Sequence, residues 1–485
     1  MATTPASSAF SFSFTFFLLL SFKTANGDVI KVQQQQLHFH TVQLSSLFPS
    51  DSCDVSPSSS ETQDLNKLPV FHKHGPCAQA QQLTRSTNNH KPTADEILRQ
   101  DESRVQTIQS RSRKAAAAAG GDVMVTDSTT IPAKDGSTVG SGNYIVTVGL
   151  GTPARQLSLI FDTGSDVTWT QCQPCVRSCY QQQEKIFDPS SSASYRNVSC
   201  SAASCSALSS ATGNTPGCSS STCVYGIQYG DSSFSVGFFG TEKLTLTSTD
   251  VFDNFFFGCG QNNQGNFGGA AGLLGLGRDK LSLVSQTAQK YNKLFSYCLP
   301  SSSSGTGFLT FGGAATKSVK YTPISSIAGG SNFYGLDITA ISVGGRKLSV
   351  SATVFSTAGA IIDSGTVITR LPPAAYSALR SAFRQQMSRY PLGQALSILD
   401  TCYDLSKYKT VSVPKVGFLF AGGTEVDIEA VGILYANSPS QVCLAFAGNG
   451  DASDIGILGN VQQQTLEVVY DGAGGRVGFA SGGCS

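Results

Sequence analysis

No histidine occurs after position 143; all five lie earlier, at His38, His40, His72, His74 and His90. The long remainder of the chain therefore cannot build a Ser-His-Asp or Cys-His machine, nor a zinc hydrolase that relies on imidazole ligands. Charge is scarce as well, at 13% of residues, and balanced, with 33 Lys+Arg against 32 Asp+Glu. The first 120 residues hold 11 basic against 9 acidic side chains and the rest 22 against 23, so neither part carries a clustered positive field. That argues against a nucleic-acid partner. The basic residues Arg111, Arg113 and Lys114 read more simply as a helix end and a processing site. Long apolar runs are missing too. The one candidate, FSFSFTFFLLLSF at 10–22, falls short of the roughly 20 residues a bilayer span needs. It suits a cleaved signal peptide over 1–27, although MATTPASS before it has no Lys or Arg and also fits an organelle transit peptide. No membrane anchor is expected, and the end at GGCS has no anchor-signal tail.

Glycine is abundant, at 50, and short Val/Ile/Thr/Phe-rich runs alternate with Gly, Asn and Asp turns: NYIVTVGLG, RQLSLIF, KLTLTS, FFFGCG, GFLTFGG, TLEVVYD. This texture is that of strands and turns. Helical periodicity is confined to PPAAYSALRSAFRQQMSRY (372–390), a shorter stretch near Ser282 to Lys290, and residues 93–118. In the last of these, Ile97, Val105 and Ile108 share one face. Fourteen cysteines point to an oxidising compartment, and seven crowd into 172–223 among small polar residues. A zinc site on Cys172, Cys175 and Cys179 lacks a completing pair, so no metal and no cofactor are expected. Asn197-Val198-Ser199 is a glycosylation acceptor sequence if the chain is exported.

A repeat organises the body. LSLIFDTGSDVTWT (157–170) is answered by GAIIDSGTVITRL (359–371), placing Asp162 in register with Asp363. Each is followed about a hundred residues later by a second matching element, AAGLLGLG (270–277) and DIGILGN (454–460). Two copies of one plan imply two similar β lobes facing across a cleft, each contributing one aspartate. Carboxylates at the ends of apolar strands, each followed by a hydroxyl residue and then glycine, are costly to bury without a specific use.

These motifs resemble the pepsin-type aspartic proteases, and within them the plant nepenthesin-like branch, which includes proteins named after the chloroplast nucleoid DNA-binding protease. The resemblance rests on Asp162-Thr163-Gly164-Ser165 and Asp363-Ser364-Gly365-Thr366, and on Gly272-Leu273-Leu274-Gly275 and Gly456-Ile457-Leu458-Gly459. Tyr229-Gly230-Asp231 is similar to the family's flap, and Cys172-x-x-Cys175 to the nepenthesin-type insertion. It implies an all-β, bilobal fold with 28–140 a propeptide, 141–325 an N-terminal lobe carrying the Cys-rich insertion, and 326–485 a C-terminal lobe. It implies an aspartic endopeptidase, with Asp162 and Asp363 sharing one proton around a bound water. Thr163 and Ser364 would bond across to the opposite loop, Ser165 and Thr366 would bond the outer carboxylate oxygens, and Gly164 and Gly365 would let the loops approach. Tyr229 would close over substrate with its hydroxyl on Trp169. Expected pairings are Cys172 with Cys259, Cys175 with Cys179, Cys298 with Cys484 and Cys402 with Cys443, all twelve body cysteines being bridged. The expected partners are extended polypeptides and the chain's own propeptide, whose Arg99, Arg104 and Arg111 would pair with cleft carboxylates; the protein itself would be a monomer. Extracellular (apoplast) is the expected compartment, with chloroplast or vacuole as alternatives. The rival reading is a nucleic-acid-binding or inhibitor-like protein on the same fold.

Overall fold

The computed structural model describes residues 37–48, 53, 67–73, 75–77, 92–119, 144–229, 233–265, 267–301, 305–313, 318–326 and 332–484. The signal segment, the linker before residue 144, His74, His90, Gly230 and Asp231 lie outside them.

The body begins with a hairpin, Tyr144–Leu150 against Arg155–Asp162, in which Val146 faces Leu159 and Val148 faces Leu157. Both strands bury most of both faces, which is why they read as near-continuous apolar runs rather than alternating ones. The second strand delivers Asp162 at its last residue. Beside it Gly272–Gly275 runs parallel, with Gly275 opposite Asp162, and Trp169–Gln171 closes antiparallel on that strand. The C-terminal lobe repeats the plan. Ala360–Ile362 runs parallel to Gly456–Leu458 and stops one residue before Asp363, while Thr369–Leu371 lies antiparallel to Gly456–Leu458. In each lobe the glycine-containing strand is held between the strand before its aspartate and the strand after it. The result is the mostly β, bilobal architecture of the pepsin clan.

Glycine is needed in those central strands for space. A Cβ on Gly272 would sit 2.0 Å from the Trp169 carbonyl oxygen, and one on Gly275 2.3 Å from that of Asp166. The helix Pro373–Gln386 starts with proline in its first turn and buries Ala375, Tyr376, Leu379 and Phe383 on one side. The expected short helix near Ser282 breaks into two turns, Leu283–Gln286 and Ala288–Tyr291, the first capped by the Ser282 side chain. All fourteen cysteines are bridged. Besides the four pairs named above, Cys200 joins Cys218, Cys205 joins Cys223, and Cys53 joins Cys77 in the leading region. Cys172, Cys175 and Cys179 are thereby all taken up in bridges.

The leading region is built into the body. Phe39–Gln43 pairs antiparallel with Thr410–Pro414. Lys67–His72 inserts between two body strands: Lys67 to Val70 pair with Gly307–Thr310, and Phe71 and His72 with Ile145 and Tyr144. Its helix spans Ala94–Ala119. Thr93 caps it, accepting from the Glu96 N–H while the Glu96 carboxylate accepts from the Thr93 N–H, a reciprocal capping box. Leu98, Asp101, Val105 and Ile108 form the buried stripe. Ile97, expected on that face, only borders it, because the contact face follows the 3.6-residue period from Leu98.

Candidate active site

The aspartates meet where the two strand ends converge. The Thr163 N–H donates to Ser364 Oγ (3.1 Å) and the Ser364 N–H to Thr163 Oγ1 (2.9 Å), so each loop is pinned by the other's hydroxyl. The Gly164 N–H donates to Asp162 Oδ1 at 3.0 Å and the Gly365 N–H to Asp363 Oδ1 at 3.1 Å. A Cβ on Gly164 would lie 2.6 Å from Asp363 Oδ1, and one on Gly365 2.6 Å from Asp162 Oδ1. Only glycine permits the loops to approach this closely. Thr366 Oγ1 donates to Asp363 Oδ2 at 2.6 Å. Ser165 departs from the expected symmetry: its buried Oγ makes no hydrogen bond of good geometry, though it lies near enough to help lower the Asp162 pKa. A guanidinium in the cleft takes both Asp162 oxygens.

That guanidinium is Arg104, from the leading helix. Its Nη2 donates to Asp162 Oδ1 (2.6 Å) and to both oxygens of Asp363 (3.0 and 2.9 Å). Nε reaches Asp363 Oδ2 at 3.0 Å and Nη1 reaches Asp162 Oδ2 at 3.3 Å. One nitrogen within 3 Å of both carboxylates shows how close the pair is. Burial works to raise the Asp162 carboxyl, but the charge and hydrogen bonds of Arg104 outweigh it and hold the pKa below the ordinary range. Burial raises Asp363; Arg104 offsets part of that and the neighbouring Asp162 charge adds to it. The environments thus push the two apart, one toward the ionised and one toward the protonated form.

The other two arginines behave differently. Arg99 pairs with Asp95 on the helix surface at 2.9 Å, because it points away from the buried stripe. Arg111 faces the Tyr229 side of the cleft and makes no ion pair among the described residues; burial lowers its pKa. Trp169 is fully buried and its Nε1 donates to the Tyr229 hydroxyl at 2.8 Å, while Phe267 packs edge-on against the indole. Gly230 and Asp231 lie outside the described residues. Asn197 is exposed at the end of a two-residue strand.

Sequence reasoning missed the rest of the helix's footing. Leu98 fills an apolar pocket with Val367, Ile368, Leu399 and the Cys402–Cys443 bridge. Val105 and Ile108 fill another, with Phe333, Ile361, Ile455 and Ile457. The Gln109 amide exchanges hydrogen bonds with both the N–H and the carbonyl of Ile455 (2.7 and 2.8 Å), as an extended backbone would. Asp101 is buried against Arg370. The available signal for this last pair was an arginine inside the apolar run VITRL.

Two apposed carboxylates on duplicated loops, backed by crossed hydroxyls and glycines, define the pepsin-clan site. Two family models, described as xylanase inhibitor N-terminal and C-terminal, match residues 144–313 and 333–481. An aspartyl protease family protein of Arabidopsis thaliana is 63% identical, over 93% of this chain and 94% of its own length. Aspartyl protease AED1 of the same plant is 53% identical over 92% and 93%, and aspartic proteinase nepenthesin-1 of Nepenthes gracilis 38% over 71% and 79%. The chain belongs to the pepsin-like aspartic protease superfamily, among the plant aspartyl proteases. Among solved structures, edgp matches with a TM-score of 0.58 at 21% identity, over 72% of this chain and 93% of that one. Basic 7S globulin from soybean matches at 0.55 and 21%, over 70% and 91%. At that identity these two speak for the fold alone.

Proposed function

We propose that the chain is the precursor of an aspartic endopeptidase, active in acid through Asp162 and Asp363 and held latent by its own residues 94–119. The observation that carries this reading is the dyad itself, with both carboxylates, both crossed hydroxyls and both glycines in place. With the helix gone, two carboxylates this close share one proton, since both cannot ionise together; pepsin is the standard instance. The ionised member takes a proton from the water held between them while the protonated member donates to the scissile carbonyl oxygen. The resulting gem-diol collapses as the leaving amine takes a proton. Trp169 and the Tyr229 hydroxyl hold the flap base ready to close over substrate and exclude bulk water.

Latency follows from what the helix occupies. Arg104 sits where the water must be, and Leu98, Val105 and Ile108 fill apolar pockets beside it. Residues 28–140 are accordingly the propeptide, and the lobes 141–325 and 326–485 the mature body. Seven disulfides suit export into an oxidising compartment, and no helix of the described residues is long and apolar enough to cross a membrane.

The test is turnover of peptide substrates by the acidified full chain, with Asp162→Asn and Asp363→Asn beside it and DNA retention run in parallel at physiological salt. Pepstatin-sensitive cleavage, greatest between about pH 3 and 5 and reduced by orders of magnitude in each folded variant, is expected. Equal turnover in the variants overturns the reading; absent turnover with DNA retention favours the binding protein instead.

A further inference from the structure

One arginine of the body is matched only by acids that the helix brings. Arg370 lies in the strand Thr369–Leu371, an interior strand of the C-terminal lobe's five-stranded sheet, with 1% of its side chain exposed. Its Nη1 donates to the Ile368 carbonyl at 2.8 Å, which fixes the guanidinium plane. Its Nη2 contacts Asp101 Oδ2 at 3.0 Å and Glu102 Oε2 at 3.1 Å. Both carboxylates belong to the leading helix. Among the described residues no acid of the body pairs with it.

The Asp101 carboxylate is received by more than a charge. The Val367 N–H donates to its Oδ1 at 2.5 Å and the Ile368 N–H to its Oδ2 at 3.1 Å. Two backbone donors and a buried guanidinium converge on one carboxylate, whose side chain is 0% exposed. The cradle is continuous with the dyad, because Val367 follows Thr366, whose hydroxyl holds Asp363. Along the helix Asp101 lies three residues from Arg104, about 4.5 Å of axial rise. An extended peptide advances about 3.3 Å per residue. A substrate carboxylate reaching the same cradle therefore belongs to a residue within about three of the scissile bond.

When the helix leaves, the body is left with a cation and two N–H groups that all face the vacated site. These groups already receive one carboxylate with a charge-assisted geometry, so once vacated the cradle is shaped to take another. We propose that Val367 N–H, Ile368 N–H and Arg370 form a carboxylate-binding subsite that selects peptide substrates with Asp or Glu close to the cut, Asp101 being its occupant in the precursor. The proposal rests on the endopeptidase reading above and adds a substrate preference to it. The apolar pocket filled by Leu98 borders the same two residues, Val367 and Ile368, so the preferred sequence places an apolar side chain near the acidic one.

The experiment uses the acid-activated full chain at about pH 5, above the ordinary glutamate pKa of about 4.3, so that the acidic side chain of the free peptide is ionised. Matched peptides differ only by Glu or Gln, placed in turn at each of the three positions on either side of the cut. A Glu-to-Gln ratio in kcat/KM of about ten or more at one position is expected, the size of one charge-assisted hydrogen bond. In Arg370→Met that ratio falls toward one, and in Arg370→Lys, which keeps charge but loses the fork, it lies between. The ratio cancels any general loss of turnover in the variants, and the native enzyme alone decides the matter if they fail to fold. A native ratio near one at all six positions, with dyad-dependent cleavage intact, overturns the subsite and leaves the endopeptidase reading standing. A ratio that survives in Arg370→Met overturns the assignment to Arg370. Absence of any cleavage sensitive to Asp162→Asn overturns both.

Discussion

Replacing Arg104 by methionine keeps the helix former and most of the side-chain length while removing the guanidinium that bridges the dyad. Five contacts between 2.6 and 3.3 Å are lost, all to carboxylates that are at most 1% exposed. Breaking a buried ion pair from one side costs about 3–5 kcal/mol. Here the two carboxylates can relieve part of that by sharing a proton, so the lower end applies, on the order of a hundredfold in the balance between closed and open forms. The pH dependence changes as well. Arg104 holds Asp162 below its ordinary range, so this group favours the closed form above about pH 4 and loses that advantage as pH falls through the depressed value. Asp363, raised by burial, acts in the opposite sense. The assay is the initial rate on a fluorogenic peptide near pH 5.5, with intact mass recorded in the same samples. Uncut Arg104→Met precursor should turn over about a hundredfold faster than uncut native precursor, and its activation lag should vanish. Identical initial rates and lags would show that the guanidinium does not govern latency.

Other outcomes can be checked on the same material. Burial, aided by Lys73, pushes the His72 pKa down to about 4, against an ordinary value of about 6.5. Neutral His72 thus favours the inserted strand above about pH 6.5, and that contribution, up to about 3 kcal/mol, is lost by about pH 4. His72→Phe should therefore need more acid to activate, read as a lower pH midpoint of propeptide loss. Alkylation of the unreduced precursor should label no thiol, because all fourteen cysteines are bridged; labelling at Cys200, Cys205, Cys218 or Cys223 would contradict the pairing found in the insertion.

The duplicated site was legible because its determinants are local. A carboxylate, a hydroxyl residue and a glycine after an apolar strand, followed by a Gly-apolar-apolar-Gly strand, can be read from a dozen residues, and the parallel pairings Leu274–Phe161 and Leu458–Ile362 follow from them. Pairings across the fold were not legible. Asp101 and Arg370 come together only once the helix lies in the cleft, and nothing in TADEILRQDESR separates Asp101 from the acids Asp95, Glu96 and Glu102 except a period that must first be phased on Leu98. The four cysteines at 200, 205, 218 and 223 allowed three pairings, and geometry alone chose between them.

If the leading region is removed as proposed, the strand Lys67–His72 goes with it. Lys67 to Val70 are bonded to Gly307–Thr310 and Phe71 and His72 to Ile145 and Tyr144, so its removal would bare a strand edge on each. Open edges of that kind invite pairing with any extended chain. The nearest supply along the sequence is the stretch just before Tyr144, which the proposed cut would convert into a free end. The proposed activation would then be a replacement of one strand by another as much as a cleavage. A processing site chosen too close to Tyr144 would leave those edges bare, and the processed chain would be the form most prone to stick to its own copies.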